Sequence, residues 1–320
     1  MIVYILFVVG FIVLIAGAHF LIKGASSLGL RLGLSQLVIG LTIVSLGTSL
    51  PELIINVFAS INGNTGLAIG NVIGSNITNT LLIVGTAALI YPIKVNKIVV
   101  KRDIWINLLA IVILLLLAND FIFGRPDNTI SKIDGLILLG FFTYYAYLSF
   151  YKSGPSSKET GEQKIKTMTL FLSVVLTLSG IAGLYFGGKW IVAGIQKLSS
   201  DFGISESVLG LTLVAGATSL PELVTSVLAA LKKNVDIALG NAIGSNIFNI
   251  FLVLGVSAVI KPIDFETGLN IQIGLLVLAS LMLLMYIRTG KESRTISRTE
   301  GTLLLLGYFA FLYISIFMQS

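Results

Sequence analysis

The sequence predicts an all-α polytopic membrane protein, in which ten transmembrane helices form two inverted-topology five-helix repeats. Three observations support this prediction. Only 11% of the 320 residues are charged and 55% are hydrophobic, with a mean hydropathy of +0.98. Ten apolar segments are long enough to cross a bilayer, and the two halves of the chain repeat each other. Soluble domains carry about 25% charged residues, so this composition excludes a soluble enzyme and a disordered chain.

The predicted spans are runs of about 20 mostly apolar residues, the length that crosses the hydrocarbon core. Their approximate ranges are 2–22, 36–61, 67–91, 104–119, 133–151, 168–188, 206–231, 237–260, 269–288 and 301–318. The first range lacks a basic start and a cleavage site, so we expect a retained span rather than a signal peptide. Cysteine is absent, which excludes disulfides and thiolate metal sites.

The basic residues predict the orientation. With ten spans, 16 of the 21 Lys and Arg residues fall on one side of the membrane and five on the other. Because cytoplasmic loops carry the excess of positive charge, we expect both termini outside the cell and segment 152–166 in the cytoplasm. The net charge of +6 then reports orientation in the cell membrane, and no nucleic acid is expected as a partner.

The repeat is visible in two segments, Gly40–Gly85 and Gly210–Gly255. They align without a gap at an offset of 170, with 24 of 46 positions identical, and residues related by this offset are called repeat mates below. The chain is predicted to divide into a first five-helix repeat (1–151), a cytoplasmic linker (152–166) and a second repeat (167–320). Because five is odd, the second repeat enters the membrane in the opposite direction, as in secondary transporters whose sites lie near the midplane.

Two acidic residues, Glu52 and Glu222, lie deep inside predicted spans and are repeat mates, whereas the other 13 acids lie in loops or at span ends. A charge at the bilayer centre costs about 2.5–3.5 kcal/mol even on insertion scales. No basic residue lies at matching depth, so these carboxylates must be protonated or hold cations. The structural alternative is N-capping, because Ser49 and Ser219 stand at capping-box spacing before the glutamates.

A proline precedes each glutamate in the motif Thr-Ser-Leu-Pro-Glu, which begins at Thr48 and at Thr218. Proline breaks a helix, and we expect the break to free the backbone carbonyls of Ser45 and Thr48, and of Ala215 and Thr218. Carbonyl, hydroxyl and carboxylate oxygens together are the ligands that hard cations prefer. The motif therefore predicts a cation site.

A second repeated motif, Gly-Asn-x-Ile-Gly-Ser-Asn-Ile-x-Asn, begins at Gly70 and at Gly240. In each copy three polar side chains are four residues apart and share one helical face: Asn71, Ser75 and Asn79 in the first, and Asn241, Ser245 and Asn249 in the second. These stripes predict a site lining, with interhelical hydrogen bonding as the alternative for some amides. Asn56, Thr225 and Ser226 follow the glutamates by about one turn, and they either line an access path or bond to neighbouring helices.

The paired motifs and the span plan resemble the sodium/calcium exchanger family of the calcium/cation antiporter superfamily, in its prokaryotic form without a regulatory domain. The resemblance implies that Glu52 and Glu222 ligate calcium together with the backbones of Thr48 and Thr218. It also implies sodium sites that draw on Ser45, Thr48, Ser49, Ser75, Ala215, Thr218, Ser219 and Ser245, with Asn79 and Asn249 between the glutamates. Several family members carry Asp at these last two positions, so the site here has only two acids.

The implied function is secondary active antiport rather than an enzymatic reaction. Na⁺ and Ca²⁺ would exchange by alternating access, with sodium entry driving calcium out while the first and sixth spans slide over the motif core. No resident cofactor is expected, and the protein is expected to act as a monomer in the lipid bilayer. The alternatives are a Ca²⁺/H⁺ antiporter on the same fold, whose relatives carry an acid where Gly74 and Gly244 stand, and a cation channel.

Overall fold

The computed structural model describes residues 2–32, 45–95, 102–120, 124, 128–151, 168–231, 233, 235–289 and 295–317. The predicted linker 152–166 and the start of the second predicted span lie outside these residues. Each of the ten predicted spans has helical residues within the described ranges. Helices are expected in these segments, because a helix satisfies its own backbone hydrogen bonds and lipid offers no other partners.

The helices of the first half include one π-helical segment, π1. They are α1 (Ile2–Arg31), α2 (Ser45–Thr48), α3 (Leu50–Asn62), α4 (Thr65–Ile77), π1 (Thr78–Ile83), α5 (Val84–Ile90), α6 (Ile104–Leu117) and α7 (Lys132–Tyr151). Those of the second half are α8 (Leu170–Phe202), α9 (Glu206–Leu209), π2 (Gly210–Val214), α10 (Ala215–Thr218), α11 (Leu220–Leu231), α12 (Val235–Phe248), π3 (Asn249–Val253), α13 (Leu254–Ile260), a 3₁₀ turn (Thr267–Leu269), α14 (Asn270–Thr289) and α15 (Arg298–Phe317).

The helices are those of a polytopic membrane protein. Within the described ranges, six are long and apolar enough to cross a membrane, and seven if the bent pair Glu206–Thr218 and Leu220–Leu231 counts as one span. Helices α3 and α6 are apolar but have only 13 and 14 residues. Length and hydropathy alone therefore find fewer spans than the ten that the sequence predicts.

Two helical segments, α4–π1–α5 and α12–π3–α13, form the centre of the molecule. In their most apolar windows 78% and 67% of residues are buried, compared with 28% in α1 and 22% in α8. They run in opposite directions. A Cβ atom at Gly63, before α4, would lie 2.7 Å from Nζ of Lys261, just after α13, and Nζ of Lys233, before α12, lies 5.7 Å from the ring centroid of Tyr91, just after α5.

Helices α1 and α8 pack against each other through glycine. A Cβ atom at Gly17 would lie 2.8 Å from the backbone nitrogen of Leu184, and one at Gly187 would lie 2.7 Å from that of Leu14. Only glycine permits such a close approach of two backbones. Because Gly17 and Gly187 are repeat mates, the contact is symmetric, and it leaves most of both helices facing outward.

Two short antiparallel strand pairs join the halves of the chain, and they are the exception to the all-α prediction. Strand β1 (Ile93–Lys94) pairs with β4 (Thr295–Ile296), and β2 (Thr129–Ile130) pairs with β3 (Ile263–Asp264). Each pair takes one strand from each half and sets two fully buried isoleucines opposite each other. The pairs therefore fasten the two halves together beside the central helices.

Candidate cation site

The predicted helix break is present at both prolines. In the first half α2 ends at Thr48 and α3 begins at Leu50, and Ser49 between them has φ −88° and ψ 7°. In the second half Ser219 has φ −79° and ψ 4°, and the axis bends by 43° between the segments before and after it. Proline has no N–H to donate to the preceding turn, which accounts for the break and confirms this prediction.

Each serine at a break bonds to the glutamate of the other half. Ser49 Oγ donates to Glu222 Oε1 at 3.1 Å, and Ser219 Oγ donates to Glu52 Oε1 at 3.4 Å. Ser245 on α12 also reaches Glu222 Oε1, at 3.3 Å, and lies 3.2 Å from Ser49 Oγ. The capping alternative is wrong for the first half, because the Ser49 side chain makes no hydrogen bond to the start of α3.

Both glutamates are buried without complete pairing. Glu52 and Glu222 are each 1% exposed, and Oε2 of each has no hydrogen-bond partner among the described residues. The ion pairs found in the described part of the chain, Arg102–Asp103 and Lys197–Asp201, lie elsewhere. A buried carboxylate oxygen without a partner is costly, and a cation would remove this cost.

The second motif contributes further unpaired polar atoms. Asn79 and Asn249 are 0% and 1% exposed, and within the described ranges neither amide atom of either side chain has a hydrogen-bond partner. Ser75 Oγ is in the same situation. Native proteins leave few buried polar groups unsatisfied, and a bound ion or water is a common explanation. The oxygens among these atoms are cation ligands of the predicted kind, and within the described ranges none of them is hydrogen-bonded to a glutamate.

The predicted carbonyl ligands need a correction at Ala215. Its carbonyl was expected to be freed by the break, but it accepts a hydrogen bond from Ser219 N at 3.1 Å and lies 3.4 Å from Thr218 Oγ1. The helix therefore continues its bonding pattern to the break itself, and a cation would have to use the second lone pair of this oxygen. Thr48 and Thr218 are buried. Ser45 belongs to α2, but its side chain lies outside the described part.

One feature of the site escaped the sequence analysis. The segments π1 and π3 begin at Thr78 and Asn249, so the second motif runs into a π-helix in each half. Such segments occur frequently at functional sites, but no residue pattern used here would have located them. The interhelical hydrogen bonding given as the alternative for some amides is present as a network, in which Asn71 Nδ2 donates to Asn56 Oδ1 at 2.7 Å and Asn241 Nδ2 donates to Ser226 Oγ at 3.2 Å.

That network decides between two interpretations of the polar residues after the glutamates. Asn56 Nδ2 donates to the Ala68 carbonyl at 3.0 Å, and Ser226 Oγ donates to the carbonyl of Ala238, the repeat mate of Ala68, at 3.2 Å. Asn56 and Ser226 therefore bond to neighbouring helices, as the second interpretation proposed. The stripe of three polar side chains likewise serves two purposes, because its first member in each half joins this network.

The donors suit a hard cation. Carboxylate, hydroxyl and amide oxygens are the ligands that Ca²⁺ and Na⁺ prefer, whereas zinc and copper favour imidazole and thiolate. Within the described ranges no group of three or more His, Cys, Asp and Glu residues could hold a metal ion. The site thus combines only two carboxylates with neutral oxygen donors from both halves.

Comparison with known proteins gives concordant matches. A family model described as sodium/calcium exchanger protein matches residues 2–151 and 172–317. The sodium/calcium exchanger MaX1 of Methanosarcina acetivorans is 35% identical, over 97% of each chain. The inner membrane protein YrbG of Escherichia coli is 35% identical, over 96% of this chain and 94% of its own. A solved structure of the sodium-calcium exchanger NCX_Mj, soaked with 10 mM Na⁺ and zero Ca²⁺, superposes with a TM-score of 0.66 at 33% identity, covering 99% of each chain.

Proposed function

Because the chain belongs to the sodium/calcium exchanger family, we propose that it exchanges Na⁺ for Ca²⁺ across the cell membrane by alternating access. Sodium entry drives calcium out of the cell. The observation that carries this proposal is the pair of buried glutamates, each bonded to a serine of the opposite half and each with one carboxylate oxygen left unpaired. The protein is a transporter of this family rather than an enzyme.

The charge of the site accounts for the exchange. Glu52 and Glu222 when ionised carry −2, which one Ca²⁺ neutralises in surroundings where an uncompensated charge is expensive. Na⁺ prefers the same oxygens, so sodium ions displace calcium by competing for them. Because the two ions use one negative site in turn, their fluxes are coupled although they do not cross together.

The ligand set that we propose comes from both halves. Calcium binds to Glu52 and Glu222 with the backbones of Thr48 and Thr218. Sodium sites surround this position and use hydroxyl and carbonyl oxygens from the two breaks and the second motif: Ser45, Thr48, Ser49, Ser75, Ala215, Thr218, Ser219 and Ser245. Asn79 and Asn249 lie between the glutamates, and their unpaired amides support this placement.

We propose the full ten-span topology with the same two-repeat division, 1–151 and 167–320, joined by the cytoplasmic linker 152–166. The opposite directions of the central helices support an inverted second repeat. The shorter helices α3 and α6 then count as spans, with α3 continued by α2 across the break. Both termini are outside the cell, and one chain suffices because it contains both glutamates.

The moving element that we propose is the pair α1 and α8, sliding over the central helices. Polar contacts join the two at both ends: Tyr4 Oη donates to Asp201 at 2.5 Å, and Arg31 Nε donates to the Met168 carbonyl at 3.1 Å. With the glycine contact between these ends, the pair is expected to move as one body. Its outward faces meet lipid, so the movement meets little packed protein.

The test uses purified protein in vesicles. Calcium uptake is measured when a sodium gradient is imposed and an ionophore collapses the proton gradient. We expect saturable uptake that requires Na⁺ on the opposite side of the membrane. Uptake that follows the proton gradient alone would replace this function by Ca²⁺/H⁺ antiport, and flux without any counter-ion would indicate a channel.

A further inference from the structure

The hydroxyl of Thr218 has more acceptors than protons. Its Oγ1 lies 3.0 Å from the Val214 carbonyl, 3.4 Å from the Ala215 carbonyl and 3.4 Å from Asn71 Oδ1. A threonine hydroxyl has one proton to donate. All three acceptors therefore compete for it, together with the Glu52 carboxylate, which the Thr218 side chain also reaches. Two of the three are carbonyls at the bend before the break.

The orientation of Asn71 is set by a chain of hydrogen bonds that ends on the backbone. The Ala68 carbonyl can only accept, so it binds Asn56 through Nδ2 at 3.0 Å. This leaves Asn56 Oδ1 to accept from Asn71 Nδ2 at 2.7 Å, which turns Asn71 Oδ1 toward Thr218. Asn56 and Asn71 are both 0% exposed, so water does not compete with these bonds.

We propose that Asn71 is a positioning residue for sodium: it draws the Thr218 proton away from the carbonyls of Val214 and Ala215. Those oxygens then have a lone pair to offer a cation at the bend. The inference rests on the proposed exchange of Na⁺ for Ca²⁺. It concerns sodium more than calcium, because calcium binding depends mainly on the two carboxylates, which Asn71 does not contact.

The corresponding asparagine of the second half, Asn241, has a different set of partners. Its Nδ2 donates to the backbone carbonyl of Glu222 and to Ser226 Oγ, both at 3.2 Å. Asn241 thus supports the main chain of a glutamate, whereas Asn71 accepts from a hydroxyl beside two carbonyls. Asn241 therefore provides a matched control, an amide of the same size in the same motif.

The experiment measures the half-saturating concentrations of Na⁺ and of Ca²⁺ separately, in vesicles that contain the full-length protein. Asn71→Leu and Asn71→Ala both remove the acceptor, the second without adding an apolar branch that could disturb folding. For either variant we expect half-saturation by Na⁺ to rise about fivefold, the factor that one neutral hydrogen bond is worth, and half-saturation by Ca²⁺ to rise less. Asn241→Leu should affect calcium at least as much as sodium.

A second arm tests the proton itself. In a Thr218→Val background no hydroxyl proton remains. The double variant Thr218→Val/Asn71→Ala should therefore have the same half-saturating Na⁺ concentration as Thr218→Val alone. Two results would overturn the inference without affecting the proposed exchange. One is an equal rise of the half-saturating concentrations of Na⁺ and Ca²⁺ in the Asn71 variants. The other is that Thr218→Val and Asn71→Ala change the half-saturating Na⁺ concentration independently. Wild-type vesicles without sodium-driven uptake would overturn the exchange function and this inference together.

Discussion

Glu222→Gln removes one charge from the site and keeps the size of the side chain. The Glu222 carboxylate accepts through Oε1 from Ser49 and Ser245, and a glutamine oxygen can accept the same two bonds. What is lost is half of the −2 charge, at a position 1% exposed. Removing one partner of a buried charge pair costs about 3–5 kcal/mol, so the affinity for Ca²⁺ should fall by at least about a hundredfold.

The assay is sodium-driven calcium uptake in vesicles, together with thermal unfolding of the purified variant with and without calcium. Uptake should be abolished and calcium should no longer raise the melting temperature. In the absence of calcium the variant should be at least as stable as the wild type, because a buried charge has been removed. Glu300→Gln is the control: this carboxylate accepts from Ser297 N and Oγ at the start of α15, and a glutamine oxygen can accept the same two bonds. The variant loses only a favourable charge at a helix N-terminus, worth about 0.3–1 kcal/mol, and should keep exchange. A folded Glu222→Gln protein with uptake close to the wild-type rate would refute the assignment of this glutamate.

Three other outcomes are expected. Ser49→Ala and Ser245→Ala should each raise the half-saturating calcium concentration about fivefold. The double variant should show less than the product of the two factors, because both serine hydroxyls donate to the same oxygen of Glu222. A double-variant effect equal to the product would contradict that shared role. Gly17→Val should separate α1 from α8 and reduce the exchange rate. Gly140→Ala, with no atom within 4 Å of the added Cβ, should leave the exchange rate unchanged. If both variants exchange at the same rate, exchange does not require the close packing of α1 against α8. A label at the N-terminus should be reached from outside intact cells, and labelling only after the cells are opened would invert the proposed topology.

The parts of the fold that the sequence predicted correctly depend on local information. Runs of apolar residues locate helices wherever lipid is the solvent, and a proline marks a break because its missing N–H acts on its own turn. The burial of Glu52 and Glu222 also followed from local context, since both stand inside apolar segments. Where hydropathy is weak or a segment is short, as in α3 and α6, length alone does not identify a span.

The parts that sequence reasoning missed depend on contacts between the halves. Ser49 stands three residues before Glu52, which suggests a capping box, yet its hydroxyl bonds to a glutamate 173 positions away. The Ala215 carbonyl keeps its helical bond because Ser219, the residue at the break itself, still donates its N–H to that oxygen. The π-helical segments at Thr78–Ile83 and Asn249–Val253 have no counterpart in the residue patterns that predicted the helices.

The crossed serine contacts explain why a duplicated motif is needed at all. In each half the glutamate and its serine neighbour belong to the same motif, but the hydrogen bonds exchange partners, so Ser49 serves Glu222 and Ser219 serves Glu52. Neither repeat therefore holds a complete half-site. The contacts are also unequal, because Ser245 bonds to Glu222 while its repeat mate Ser75 has no hydrogen-bond partner among the described residues. Near-identical motifs thus occupy different environments in one conformation, which is the asymmetry that an inverted repeat requires if the two sides of the membrane are to be opened in turn.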